Sequence, residues 1–286
     1  MKVLGGPASQ LLAARVAKSL QCDLALMEFK EFPDGESYLR VVDELDEDTL
    51  IIQSTTTNDQ IIYLLQLIDA ASDGFLRVVI PYFGYARQDK RFKLGEPISA
   101  RAIAHAIEAD EVYVINIHDQ QTLEHFRLRS GNPAINLSAA QTIGSHLKEM
   151  SFVDPLLISP DEGAMQLVHD VAQAMQSEFD VLVKKRVSPE QVQIQPKTVD
   201  VHERDVVIID DMISTGGTMA EAIKLLRGQG AREVHVACIH PVLSLNARLR
   251  LYRAGVDSIL ATDTIERAES CISVAPLIKH GVMAKP

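Results

Sequence analysis

The sequence has few of the features that mark a membrane, secreted or nucleic-acid-binding protein. No apolar run approaches the roughly 20 residues that a membrane-spanning helix needs. The N-terminus carries one lysine and meets Gly5-Gly6-Pro7 after a short apolar stretch, so no secretory signal is expected. Cysteine is scarce. Cys22, Cys238 and Cys271 are odd in number, far apart and without metal-ligand spacing, and they read as reduced, buried small side chains of a cytoplasmic protein. Basic residues are outnumbered, 28 Lys and Arg against 39 Asp and Glu, for a net charge of −11. That balance argues against non-specific binding to nucleic acid or anionic membranes. Phosphates remain accessible ligands where cations gather locally or a divalent cation intervenes. Neither a linker nor a low-complexity segment interrupts the chain.

What is present is apolar sequence in strand-length runs. At 286 residues and 47% hydrophobic, the chain can fill two ordinary cores. One stretch organises the rest. Val206 to Ile209 reads as a buried parallel strand, Asp210 and Asp211 stand where it should end, and Ser214-Thr-Gly-Gly-Thr218 opens a helix. In open α/β sheets ligands bind at the carboxyl ends of strands. A Gly-containing turn at a helix N-terminus offers N–H groups to a phosphate, and Ser214, Thr215 and Thr218 add hydroxyls. Gly216 and Gly217 allow close approach of the backbone. Carboxylates would repel a phosphate unless they face sugar hydroxyls or a cation, so the combination reads as a sugar-phosphate site.

Five other stretches carry chemistry. Phe32-Pro-Asp-Gly-Glu36 taken alone is a turn between strands. The segment from Arg77 to Asp89 is a strand entering a loop with aromatics and Arg87, Gln88 and Asp89, followed by Lys90, Arg91 and Lys93. It suits a nucleoside triphosphate, although charged loops are more often simply solvated. Glu111 to His118 is a buried strand ending in histidine. Ser159-Pro-Asp-Glu-Gly163 begins a helix with favourable acidic residues. Val181 to Arg186 is a strand running into Ser188-Pro189, with Lys184 and Arg186 near a predicted loop. The run from Asp205 echoes that from Arg77, and Glu233–His240 echoes Glu111–His118, which predicts a duplicated α/β unit.

The Asp210 to Thr218 stretch resembles the phosphoribosyl-pyrophosphate motif of phosphoribosyltransferases and of ribose-phosphate pyrophosphokinases. With Phe32–Glu36, Tyr85–Asp89 and Ser159–Asp161 in order, nearly the whole chain resembles the pyrophosphokinase family. That resemblance implies two phosphoribosyltransferase-type α/β domains with mainly parallel sheets related by a pseudo-twofold, residues 1–137 on the ATP side and 138–286 on the ribose 5-phosphate side. It implies transfer of the diphosphoryl group of ATP to the anomeric hydroxyl of ribose 5-phosphate, with Mg²⁺. Phe32, Asp34, Glu36, Arg87, Gln88, Asp89 and His118 are the implied ATP residues, with Phe32 to Glu36 supplied by a neighbouring subunit of a homo-oligomer. Asp210 and Asp211 would meet the ribose hydroxyls, and Ser214, Thr215, Gly216, Gly217 and Thr218 the 5-phosphate. His118 and Asp161 would touch the metal, and Lys184 and Arg186 would be catalytic. The sequence departs from the family pattern at Asn116, where Asp is usual, at Phe92 and at Ser214. A phosphoribosyltransferase or a non-catalytic regulatory homologue are the competing readings.

Overall fold

The computed structural model describes residues 1–188, 191–196 and 200–284, and the side chains of 183–199 lie outside the described ones. The chain forms two compact units. One holds Met1–Ser138, Thr264–Glu266 and the residues from 273 on; the other holds Ala139–Asp263 and Arg267–Ile272.

The first unit contains strands β1 (Lys2–Gly5), β2 (Asp23–Leu24), β3 (Met27–Glu31), β4 (Ser37–Val41), β5 (Asp48–Ile52), β6 (Phe75–Ile80), β7 (Glu108–Ala109), β8 (Glu111–Ile115), β9 (Arg127–Leu128) and β10 (Ile135–Leu137). Its helices are α1 (Gln10–Leu20), α2 (Asn58–Ala70) and α3 (Ser99–Ala104). The main sheet runs β10-β8-β6-β5-β1-β2, all parallel. Leu50 to Ile52, Val78 to Ile80 and Val112 to Ile115 are buried on both faces, as the continuous apolar runs predict. Charge is confined to the amino ends, where Arg77 pairs with Asp48 and, at 2.9 Å, with Glu111. The antiparallel hairpin β3–β4 stands apart from this sheet.

The second unit contains β11 (Leu156–Ser159), β12 (Glu178–Ser188), β13 (Gln191–Pro196), β14 (Asp205–Met212), β15 (Glu233–His240) and β16 (Ser258–Ala261), with helices α4 (Ala140–Lys148), α5 (Met165–Met175), α6 (Gly217–Gly228) and α7 (Ala247–Ala254). The sheet order is β13-β12-β11-β14-β15-β16, parallel except for β13, which returns antiparallel along β12. Lys184 and Arg186 stand on this ribbon, opposite Ile194 and Val192, on a strand that continues to Ser188.

Both sheets place their second strand outside the first and then add the third, fourth and fifth in order. On that count β14 is equivalent to β5, and β15 to β6. The sequence echo is therefore one strand out of step: Glu111–His118 and Glu233–His240 occupy non-equivalent strands. Buried parallel strands all read as Val/Ile runs behind a charged residue, so the run itself cannot index them. The element that follows can, because β5 and β14 both lead through Ser/Thr-rich turns into a helix.

The last helix, α8 (Ala275–Met283), packs with α1 in the first unit. Gly281 is a contact point, since a Cβ there would lie 2.8 Å from Leu137 Cδ2. The tail therefore belongs with the first unit rather than with residues 138 onward. Ser9, expected to cap α1, instead accepts from the Ser54 N–H at 3.0 Å, and the Leu12 N–H finds Glu266 at 2.8 Å. All three cysteines are free, but only Cys238 is buried and Cys271 is exposed.

Gly144 decides how closely α4 approaches α5. An added Cβ would sit 2.6 Å from Ala174 Cβ and 2.7 Å from the Val171 carbonyl oxygen. Alanine improves helix propensity by about 1 kcal/mol, yet overpacking costs about 1–3 kcal/mol. Gly144→Ala is expected to lower the thermal midpoint by several degrees; an unchanged or raised midpoint would contradict this packing.

Candidate active site

In the second unit, burial of Val206 to Ile209 holds β14 in the core as far as its last turn-ward residues. Asp210 and Asp211 then emerge half-buried at the carboxyl end. Asp210 Oδ1 accepts the Asp211 N–H at 2.9 Å. Burial, followed by the Asp211 carboxylate and more weakly by Asp161, pushes the Asp210 carboxyl up to about 8. Asp161 therefore lies within electrostatic reach of the pair, as the motif order predicts. Its Oδ1 also accepts the Gly163 N–H at 2.9 Å, so the ordinary helix-entry role and the candidate site role coexist.

Beyond the acidic pair the chain turns into α6. Gly216 caps the helix at φ +71°, with Leu251 only 3.4 Å from where a Cβ would stand. The positive φ is what favours glycine there; a Cβ would only touch Leu251. Thr215 and Thr218 are exposed, Ser214 and Gly217 half-buried. The carbonyls of Ile213, Ser214 and Thr215 accept from the Leu243 N–H (2.8 Å), the Ser244 N–H (3.0 Å) and Arg250 Nη1 (2.7 Å). The Ser214 and Ser244 hydroxyls lie 3.3 Å apart. Sequence reasoning missed this supporting segment. Ser244 carries no recognisable motif, and Arg250 follows Thr215 by 35 residues, beyond any local pattern.

In the first unit, the loop after β6 is pinned onto the turn after β5. Thr55 Oγ1 accepts the Gly84 N–H at 2.8 Å, and the Thr55 N–H reaches the Tyr82 carbonyl at 2.9 Å. A Cβ on Gly84 would run into the Thr55 carbonyl oxygen. Tyr85 follows at φ +65°, its hydroxyl donating to Asn58 Oδ1 at 2.6 Å. The loop then presents Arg87 exposed and Gln88 and Asp89 half-buried, with Gln88 Oε1 accepting from the Ser99 hydroxyl. Among the described residues Arg87, Lys90, Arg91 and Lys93 form no ion pair, while Lys90 lies 5.6 Å from the Phe92 ring centre. In a chain of net charge −11, four unpaired cations on one loop make an anion-binding surface.

Phe32, Asp34 and Glu36 form the tip of the β3–β4 hairpin. The Gly35 N–H donates to the Phe32 carbonyl at 2.8 Å with φ +92° at Gly35, and the Phe32 ring is 48% exposed. The hairpin rests on α2, where Gln66 Nε2 donates to the Ser37 carbonyl at 2.8 Å. Asn58, which holds Tyr85, lies eight residues earlier on the same helix, about 12 Å along its axis. The hairpin also meets the same helix at Tyr63, whose hydroxyl donates to the Lys30 carbonyl at 3.3 Å. His118 is exposed beyond β8. Asn116 before it sits at φ +41°, a conformation that Asn and Asp tolerate better than other side chains, so the departure from the family's Asp leaves the backbone turn intact. Among the described residues no three His, Cys, Asp or Glu side chains converge as a metal cage.

The N-terminal domain model of ribose phosphate pyrophosphokinase matches residues 1–110, and the phosphoribosyl transferase domain model matches 132–271. The ribose-phosphate pyrophosphokinase of Methanosarcina acetivorans is 54% identical over 284 residues, covering 99% of both chains. The chain belongs to the ribose-phosphate pyrophosphokinase family. Ribose-phosphate pyrophosphokinase 2 of Archaeoglobus fulgidus is 42% identical, covering 99% of this chain and 100% of that one. The crystal structure of the phosphoribosylpyrophosphate synthetase of Mycobacterium smegmatis superposes with a TM-score of 0.82 at 28% identity, covering 99% and 97% of the two chains. Both pyrophosphokinase-type domains are thus present as mainly parallel α/β sheets.

The raised Asp210 carboxyl has a consequence for stability. Below about pH 4 the group is protonated in folded and unfolded chains alike. As pH rises towards 8 the unfolded chain ionises freely while the folded one resists, so stability is lost across that window. Asp210→Asn removes this cost. Its thermal midpoint is expected to exceed that of the wild type by several degrees at pH 8 and to converge with it at pH 4. An equal difference at both pH values would contradict the assignment.

Proposed function

We propose that this chain transfers the diphosphoryl group of ATP to the anomeric hydroxyl of ribose 5-phosphate, releasing AMP. The observation that carries the proposal is the pairing of Asp210 and Asp211 with an unbonded N–H turn at the carboxyl end of β14. The turn from Ser214 to Thr218 receives the 5-phosphate, and the acidic pair receives the ribose 2- and 3-hydroxyls. Residues 138 onward in the second unit are then the ribose 5-phosphate side, and the first unit is the ATP side.

Arg87 and Gln88 meet the triphosphate, with Asp89 beside them and His118 following β8. Phe32, Asp34 and Glu36 complete an adenine site from a neighbouring subunit. A homo-oligomer with ATP sites shared between subunits follows, working in the cytoplasm. No helix among the described residues is long and apolar enough to cross a membrane.

Mg²⁺ fits the residues present. It needs only one or two protein carboxylates when phosphate oxygens and water supply the remaining ligands. Asp210, raised first by burial and then by the Asp211 and Asp161 carboxylates, stands in a local excess of negative charge that a cation would relieve. Asp161 would hold Mg²⁺ on the ribose 5-phosphate side and His118 on the ATP side, where the ion neutralises phosphate charge. Phosphoryl transfer asks little covalent chemistry of a protein; catalysis is positioning and charge stabilisation. The nucleophile is the sugar hydroxyl. Lys184 and Arg186 are two residues apart on β12. We assign them to stabilising charge on the transferred group.

A coupled assay for AMP from ATP and ribose 5-phosphate tests the activity. Product formation only from phosphoribosyl pyrophosphate and a nucleobase would favour the phosphoribosyltransferase reading. In the same assay Lys184→Ala and Arg186→Ala are each expected to lower kcat by about 10²–10³ with little change in KM. Near-normal kcat at saturating substrate would remove both from the mechanism.

A further inference from the structure

The loop between β14 and α6 is gripped from behind at three consecutive carbonyls. Ile213 and Ser214 are held by the backbone N–H groups of Leu243 and Ser244, and Thr215 by the Arg250 guanidinium. In a planar trans peptide the C=O and the following N–H point in opposite directions. Fixing these carbonyls on one side therefore turns the N–H groups of Ser214, Thr215 and Gly216 to the other. None of these three N–H groups donates a hydrogen bond among the described residues. Successive N–H groups turned to one side form an anion-binding concavity.

The gripping segment shows strain of its own. Leu243 and Leu245 lie at φ +46° and +55°, a conformation unfavourable for bulky side chains, and Leu245 is 87% exposed. Such strain persists only where surrounding structure enforces it, and it concentrates at functional sites. Arg250 is the one gripping group that is a side chain. It lies on α7, exposed, in a groove of about 810 Å³ shared with Glu221, Lys224 and Arg253. It forms no ion pair with Glu221 or any other described carboxylate, and the Thr215 carbonyl is its hydrogen-bond partner.

We propose that Arg250 is a positioning residue for ribose 5-phosphate. It holds the Thr215–Gly216 peptide so that the Gly216 N–H faces the 5-phosphate, and it acts through the backbone without contacting the sugar. This rests on reading the Ser214–Thr218 turn as the 5-phosphate site. Without Arg250 the peptide is free to rotate, and part of the binding energy is spent on ordering it.

Arg250→Met keeps the aliphatic stem and removes the donor; Arg250→Lys keeps a charged donor. Each is compared with the wild type by steady-state kinetics, ribose 5-phosphate calorimetry and thermal unfolding. Arg250→Met is expected to raise both the KM and the Kd for ribose 5-phosphate by about tenfold, with the ATP KM within about twofold. The thermal midpoint should move by no more than about 2 °C, and Arg250→Lys should recover most of the affinity. An unchanged ribose 5-phosphate affinity in Arg250→Met, or an equal loss towards both substrates, would overturn the positioning role while leaving the activity intact. A lowered midpoint with normal affinity would reduce Arg250 to a structural latch. A wild-type protein that binds no ribose 5-phosphate would instead refute the 5-phosphate reading, and with it this inference.

Discussion

A parallel sheet covered on both faces leaves no room for charge along its strands, so charge must collect at their ends. β14 obeys that constraint strictly: fully buried from Val206 to Ile209, then two carboxylates and a helix-entry turn. The acidic pair and the anion-binding turn follow from where burial stops. The raised Asp210 carboxyl is the local cost of half-burying it beside Asp211, with Asp161 within electrostatic reach. It is tolerable because the ligands proposed for this site carry hydroxyls and a divalent cation to meet them.

The same constraint shapes the first unit with different chemistry. β5 is equivalent to β14, but its turn carries Gln53, Ser54 and Thr55, all buried. Their hydrogen bonds go to the protein itself: the Ser54 hydroxyl donates to the Thr264 carbonyl at 2.6 Å and accepts the Tyr82 N–H at 3.1 Å. One topology thus supplies the proposed ligand cradle in the second unit and a structural anchor in the first. In the first unit the proposed recognition groups move one strand along, to the loop after β6. The unpaired cations of that loop give an acidic protein a local surface suited to triphosphate.

What was legible in the sequence was what is contiguous. Asp210 to Thr218 declares strand, acidic pair and turn in one run, and the structure places all of them at one strand end. Ser159–Asp161 was legible for the same reason. Two like domains were legible through the family resemblance, whereas the internal echoes paired non-equivalent strands, because Val/Ile runs are interchangeable and only the elements after them carry an index. Caps and supports assembled from distant sequence were not legible. Glu266 serves α1 from 254 residues away, and Arg250 grips a carbonyl 35 residues before it. Asn116 read only as a departure from the family's usual Asp, and its positive φ shows a backbone reason for the residue.

In the proposed site the 5-phosphate is met by backbone N–H groups already aimed at it. Amide resonances followed during titration with ribose 5-phosphate test this directly. The N–H signals of Thr215 and Gly216 should move downfield and gain protection from solvent exchange, while amides near Arg87 remain unmoved. Unperturbed Thr215 and Gly216 amides at saturating ribose 5-phosphate, with shifts elsewhere, would contradict it.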